Sequence, residues 1–311
     1  MVISTLTINT ALDRLLFIQE LHKNSTNRIL KTEEVLGGKG THVSINLSQL
    51  GVPNRVFGVT FGEIGERIGE ILRRRGNIDV RFLHYPDGNS RTNYALIEQT
   101  NECTLITEKG RVIPADICEE LLDHIAEGTA PGDFMVLSGD ASNTETPFFY
   151  NRVMERVAAK GVRVFLDTSS HNLIEGIKAK PFLVKPNADE LSQLAGKPIG
   201  DTQEILGAMA DIAAQGVEVV AVSLGGEGSL VRYRDDTYRV EPLDVDVVNT
   251  IGCGDAYLSG MVCGFAQGLP FEDILRLACA VSAATAESEM TVGFDHGRAM
   301  ALRERVVIRR L

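Results

Sequence analysis

The sequence predicts an α/β domain in which a central, mostly parallel β-sheet carries helices on both faces. Three observations lead there. Short β-branched or aromatic runs bounded by Gly, Pro or Asp recur along the 311 residues, amphipathic stretches lie between them, and 30 glycines cluster where the two meet. Strands that alternate with helices need crossover connections, which build parallel sheets. Glycine is the residue that lets a strand turn tightly into a helix.

Taken in order, the expected buried strands are Val56–Thr60, Asp133–Leu137, Arg163–Asp167, Phe182–Lys185 and Val217–Ser223. The expected helices between and around them are Gly40–Leu50, Glu66–Arg74, Pro114–Ile125, Pro147–Lys160 and Thr202–Gln215. Two stretches, about 13–35 and 81–107, alternate apolar and polar positions with little helical period, as Arg91-Thr92-Asn93-Tyr94-Ala95-Leu96 shows. They read as antiparallel strands with one exposed face, inserted in a single domain spanning 1–311 and able to pair as a small β-sheet lid.

A net charge of -11 argues against nucleic acid or an anionic membrane as the main partner, but not against one small anion held by local groups. The five cysteines form no C-x-x-C pair and have no histidine at ligand spacing, so neither a zinc site nor a disulfide framework is expected. The N-terminal stretch lacks the form of a signal peptide, and no apolar run reaches membrane-spanning length. A reduced, cytoplasmic protein is the expectation.

Four glycine- or proline-marked turns carry the chemistry. Leu36-Gly37-Gly38-Lys39-Gly40 precedes a helix with Val43, Leu47 and Leu50 on one face. Free amides and the helix dipole favour an anion there, although a structural turn has the same pattern. The string is not a Walker A loop. Asn249-Thr250-Ile251-Gly252-Cys253-Gly254-Asp255 opens a second helix. Asp255 there is either a cap or the base of a phosphoryl-transfer site, which needs an anion cradle and a proton acceptor side by side. Ser223-Leu224-Gly225-Gly226-Glu227-Gly228 joins two apparent strands, as a hairpin or as a nucleotide contact. In Lys185-Pro186-Asn187-Ala188-Asp189-Glu190, Asn187 and Glu190 have capping-box spacing. The alternative is that they reach magnesium and its waters.

In this order the four turns resemble the ribokinase-like sugar kinase superfamily, and the phosphofructokinase B family in particular, over the whole chain. Gly37-Gly38-Lys39-Gly40 and Gly252-Cys253-Gly254-Asp255 stand where that family has its two signatures. Leu6-Thr7-Ile8-Asn9-Thr10-Ala11-Leu12-Asp13, Thr26-Asn27-Arg28 and Gly88-Asn89-Ser90-Arg91 are similar to the branch of 1-phosphofructokinases and tagatose-6-phosphate kinases.

The resemblance implies a three-layer α/β/α ribokinase-like domain with a small lid, ATP with Mg2+, and transfer to a ketohexose phosphate. By position it implies Asp255 as general base, with Gly252, Cys253 and Gly254 as the anion hole. Asp13 would hold sugar hydroxyls, and Arg28, Lys39 and Arg91 the substrate's phosphate, beside Gly38 and Ser138. Lys185, Asn187, Ser223, Gly225, Gly226 and Gly228 would face the nucleotide, and Asn187 with Glu190 the metal. A homodimer through the lid is a further expectation.

Two positions depart from the branch pattern. His42 stands where Asn is usual, and is expected to donate to a sugar hydroxyl. Ser138-Gly139-Asp140-Ala141-Ser142 replaces Ser-Gly-Ser-Leu-Pro beside the sugar pocket. A kinase of an unphosphorylated sugar or nucleoside, and a non-catalytic sensor of sugar or nucleotide, stay open as alternatives. A dinucleotide-dependent dehydrogenase is disfavoured, because no Gly-x-Gly-x-x-Gly lies between the first strand and first helix.

Overall fold

Every residue of β1 (Ile3–Thr7) is buried, as a strand covered on both faces must be. In the computed structural model, which describes residues 1–100 and 102–311, β1 lies in a ten-stranded sheet. From β1 the chain runs through β2 (Ala11–Ile18), β3 (Ile29–Gly37), α1 (Lys39–Gln49), β4 (Asn54–Phe61), α2 (Gly62–Arg73), β5 (Ile78–Tyr85), β6 (Arg91–Glu98) and β7 (Cys103–Thr107). Next come α3 (Ala115–Gly128), β8 (Phe134–Ser138), α4 (Phe149–Ala158), β9 (Arg163–Asp167), α5 (Ser170–Lys178), β10 (Leu183–Val184), α6 (Ala188–Ala195) and α7 (Thr202–Ala214). The last third holds β11 (Val219–Ser223), β12 (Ser229–Tyr233), β13 (Asp236–Val240), α8 (Cys253–Ala266), α9 (Phe271–Ala286), α10 (His296–Arg303) and β14 (Ile308–Arg310).

The large sheet has the order β14-β13-β12-β11-β10-β9-β8-β1-β4-β5. Neighbours from β11 to β5 pair in parallel, and β12 to β14 add an antiparallel flank. The side-chain period of two sends alternate residues to opposite cores. Leu6, Met135, Leu137, Val164, Leu166, Val184, Val220 and Val222 enter the core under α3 to α7. Ile3, Phe134, Val136, Phe165, Leu183, Val219 and Ala221 enter the one under α1, α8, α9 and α10. The result is the three-layer arrangement that the alternation of strands and helices predicts.

Because the parallel strands share one direction, their C-terminal ends share one edge. Ser138, Asp167 and Ser223 are the last residues of β8, β9 and β11, and Lys185 directly follows β10. In open α/β sheets, ligands bind outside this edge.

A separate four-stranded sheet has the order β3-β2-β6-β7, with β2 and β6 parallel and the outer pairs antiparallel. It comes from the two expected stretches, with two corrections, the first being that their strands β2 and β6 pair in parallel rather than antiparallel. Residues 81–85 belong to β5, which pairs with β4 along the margin of the large sheet. Their alternating pattern reflects a half-covered edge strand, which local sequence cannot tell from a lid strand. Position 101, inside the second expected lid stretch, lies outside the described residues. Among the described residues, no helix is long and apolar enough to cross a membrane.

Leu6 is fully buried in β1, between β8 and β4. Leu6→Ala is expected to lower unfolding free energy by about 2–5 kcal/mol through lost burial and the cavity left behind. A shifted urea midpoint with an unchanged slope checks it.

Candidate active site

Asp255 reaches the strand-end edge because α8 begins there. Gly252, in a left-handed conformation (φ 79°), caps the helix. A Cβ at this position would sit 2.2 Å from the Thr291 carbonyl oxygen, so both the backbone angle and the space demand glycine. The turn leaves the amides of Gly254 and Asp255 without a hydrogen-bond acceptor among the described residues. Such amides form a ready anion site at a helix start. Burial, together with the Asp255 charge, pushes the Cys253 thiol up to about 11, so it stays protonated near neutrality.

The Asp255 side chain is 6% exposed, and its Oδ2 lies 2.8 Å from His42 Nδ1. His42 projects from the first turn of α1, and its Nε2 donates to the Leu36 carbonyl at 2.8 Å. Helix α1 approaches β1 so closely that a Cβ on Gly40 would stand 2.2 Å from the Leu6 carbonyl oxygen. Burial alone would lower the basicity of His42. The hydrogen bond and charge of Asp255 outweigh it, with help from Asp13 and the Leu36 carbonyl, and raise the imidazole above its usual value. The expectation that His42 donates to a sugar hydroxyl is therefore corrected: protein acceptors occupy both ring nitrogens.

Lys39, at the start of α1, places Nζ 3.8 Å from Asp167 Oδ1, and Lys185 places Nζ 3.4 Å from Asp167 Oδ2. Asp167 is buried, and that Oδ2 makes no aligned hydrogen bond. Two ammonium groups therefore hold a carboxylate that burial would otherwise penalise. Asp167, with Asp255 and Glu190, keeps the Lys39 ammonium above the usual lysine value. Sequence reasoning missed Asp167. Its only signal was an acidic residue at the end of an apolar strand, on the edge where the other candidates collect.

Asn187 and Glu190 form a reciprocal capping box on α6, with Glu190 N–H donating to Asn187 Oδ1 at 2.8 Å and Asn187 N–H to Glu190 Oε2 at 2.9 Å. Asn187 and Glu190 also line a cavity of about 200 Å³ with Lys39, Asp167, Lys185, Ser223, Gly252, Gly254 and Asp255. A neighbouring cavity of about 390 Å³ shares Asn187, Ser223 and Gly254 with it. Gly225, Gly226 and Gly228 line that second cavity, and Leu243, Val245, Val247, Tyr257 and Ala283 give it apolar walls. The Ser223–Gly228 turn is indeed a hairpin between β11 and β12, and it borders this cavity as well. A larger hollow of about 600 Å³ opens at the opposite end of the sheet, where Arg55 and Asp79 satisfy each other at 3.0 Å.

The four-stranded sheet lines neither of the two adjoining cavities, and neither does Ser138, but Asp13 of this sheet lies near enough to act electrostatically on His42 and Arg91. Asn93 donates to Asp13 Oδ1 at 2.7 Å, across the register of β2 and β6. Arg91 is half-buried, and its Nε has no partner. Burial lowers the Arg91 pKa against the pull of Asp13, Asp140 and Glu108. Ser138 Oγ is buried and unpartnered, whereas Asp140 is committed to Ser142 and Asn172. Tyr150 braces this loop from behind, with its hydroxyl 3.2 Å from the Ser138 carbonyl and 3.1 Å from that of Gly139. Gly38 caps α1. Arg28 lies exposed ahead of β3, and no hydrogen bond or ion pair ties it to the cavities among the described residues.

A profile of the pfkB family carbohydrate kinases matches residues 5–294. The chain belongs to this family. Curated relatives include the 1-phosphofructokinase of Escherichia coli strain K12, 31% identical over 98% of this chain and 97% of the relative. The tagatose-6-phosphate kinase of Staphylococcus epidermidis is 29% identical over 93% of each chain. A crystal structure of phosphofructokinase-2 from Escherichia coli in complex with potassium superposes with a TM-score of 0.92 at 22% identity, covering 98% of both chains, and so shares the fold. The activity that goes with the pfkB family is phosphoryl transfer from ATP to a carbohydrate.

Gly252→Ala is expected to cost about 1–3 kcal/mol of stability through the left-handed angle. It should also cut turnover far more than that loss explains, because α8 must shift away from Thr291. Thermal melts and ADP release on one preparation check both effects.

Proposed function

We propose that this pfkB kinase phosphorylates a ketohexose phosphate, with Asp255 as the general base on the attacking hydroxyl. One observation carries the reading: the buried Asp255 carboxylate stands beside the free amides of a helix start in the wall of the smaller cavity, next to Gly254, which that cavity shares with the larger one. Phosphoryl transfer asks for little more than position and charge stabilisation. The larger cavity, apolar on one side and glycine-lined on the other, suits a nucleoside whose phosphates point toward Gly254. The smaller one suits the transferring group, between the α8 amides and the Lys185 ammonium.

The sugar lies under the four-stranded sheet, which acts as a lid. Asp13, oriented by Asn93, accepts from sugar hydroxyls. Arg91 and Lys39 both border the Gly139–Asp140 turn and supply positive charge for the phosphate that the substrate already bears. Asp140 is held by Ser142 and Asn172, and its charge acts on Arg91. The relatives named for 1-phosphofructokinase and tagatose-6-phosphate kinase activity point to the same substrate class.

Asn187 and Glu190 fit magnesium only as distant partners. Their capping oxygens are engaged, and no three acidic, histidine or cysteine side chains converge among the described residues. Magnesium would take most of its ligands from phosphates and water, and Glu190 and Asn187 would steer those waters. It would supply charge neutralisation between the phosphates.

Asp255→Asn should lower kcat by about 10²–10⁴-fold, the usual worth of a positioned base, with both KM values little changed. ADP release under saturating ATP and sugar phosphate measures it, and near-normal turnover would remove Asp255 from that role. Arg91→Met should raise KM for fructose 1-phosphate or tagatose 6-phosphate, whichever is the better substrate, and leave KM for ATP alone. A panel that includes fructose, ribose and a nucleoside checks the substrate class. Preference for an unphosphorylated acceptor would overturn the assignment of Arg91 and Lys39 to a substrate phosphate.

A further inference from the structure

Geometry, with the ordinary basicities of the two groups, fixes the proton inventory of the His42–Asp255 contact. The Leu36 carbonyl can only accept, so His42 Nε2 carries a hydrogen. At 2.8 Å, Nδ1 and Asp255 Oδ2 must then share a second proton, since a bare nitrogen facing a carboxylate would be repelled. The ring, with an ordinary pKa of about 6.5 against about 3.9 for the carboxyl, is the stronger base and keeps that proton.

We infer that His42 is a positioning residue that works as a buried imidazolium, holding Asp255 ionised and turning its free oxygen, Oδ1, toward the attacking hydroxyl. This rests on the reading of Asp255 as the base. A carboxylate beside incoming phosphates, nearly out of water, would otherwise be pushed toward its protonated form, which cannot accept a proton. In the reaction the sugar O–H bond breaks and its proton passes to Asp255 Oδ1. The new sugar O–P bond forms as the bond from the transferred phosphorus to ADP breaks, its electron pair leaving with ADP. His42 keeps both ring protons throughout, so the pair goes from neutral to a single positive charge while the phosphoryl group crosses the α8 amides. Asparagine at this position would donate one hydrogen bond but bring no charge.

The groups around the ring all favour the charged form. Asp255 faces it from α8 and Asp13 from β2, whereas Lys39 and Lys185 lie on the far side, held by Asp167. The neighbouring strand β1 brings only hydroxyls, and β8 no ionisable side chain. Arg55 of β4 is paired with Asp79 of β5, and His84 of β5 with Thr60. On β3, Lys31 pairs with Glu33, and Glu34 with Arg14 of β2. The raised basicity of the ring means that the imidazolium survives to a pH above the ordinary histidine value and is lost as pH climbs through its folded value. Activity should therefore fall on the alkaline side as the ring empties.

Two measurements test this. Nitrogen NMR of the intact enzyme, with the His42 signals identified by their absence in H42N, should show both ring nitrogens protonated at neutral pH; one bare nitrogen overturns the inference. In steady-state assays with ATP, magnesium and the preferred sugar phosphate, H42L should lose roughly 10–100-fold in kcat, as residues that orient an active group do, with both KM values near wild type. H42N, which keeps one hydrogen bond but not the charge, should recover only part of that loss and lack the alkaline decline attributed to the ring. A decline that persists in H42N overturns the inference, as does an H42L effect confined to KM for the sugar. The two readings fail separately. A neutral ring with Asp255→Asn inactive removes only the role of His42, whereas a charged ring with Asp255→Asn active removes the base.

Discussion

Helices α1 and α8 meet over the sheet edge in a contact that is polar where most of its surroundings are apolar. His42 and Asp255 are bonded there, and Ser259 Oγ donates to the Asp255 carbonyl one turn further along α8. The rest of the site is arranged around this contact. Helix α1 can bring His42 in only because Gly40 lets it lie against the Leu6 carbonyl. Helix α8 can present Asp255 only because Gly252 turns beneath Thr291. A buried ion pair of this kind is costly to assemble and more costly to leave half-made, because the remaining charge would have no partner. The two glycine turns, far apart in sequence, are thereby coupled: each supplies half of one electrostatic object.

The same principle governs the opposite wall. Asp167 is buried among backbone and two ammoniums, and the chain's overall charge of -11 does not describe what a ligand meets at the edge. Acid and base alternate across a few ångströms: Asp255 with His42, Asp167 with Lys39 and Lys185, and Asp13 with Arg91. Such an arrangement holds a near-zero local charge while the site is empty. It also offers cationic groups that an arriving phosphate can draw on.

Much of this was readable in the sequence, because the features concerned are local. Strand β9 falls where the pattern of Arg163–Asp167 puts it. The capping box of Asn187 and Glu190 follows from residues three positions apart, and the glycine turns announce helix starts. What local pattern could not supply is register across the sheet. Asp167 becomes a site residue only because β9 lies beside β8 and β10 and ends level with Ser138 and Lys185. Residues 81–85 alternate as lid strands do, yet pair with β4. His42 looks like a sugar ligand until α8, more than half the chain away, delivers Asp255 to its ring. Arg28, carried over by motif, stays outside the cavities, since a motif states neighbours in sequence and not the path of the loop that holds them.

The loop after β8 is held by Tyr150, whose buried hydroxyl meets the carbonyls of Ser138 and Gly139, and by Thr168, whose hydroxyl donates to the same Gly139 oxygen at 2.7 Å. These bonds go to backbone, so they hold Ser138 and Gly139 whatever side chain stands at position 138, while Asp140, bonded to Ser142 and Asn172, and the buried Ala141 hold the rest of the loop. Exchange of the Ser138 side chain leaves the backbone there on the same track. The departure of Ser138–Ser142 from the usual pattern therefore changes what the loop presents, while Tyr150 and Thr168 keep the Ser138–Gly139 backbone in place.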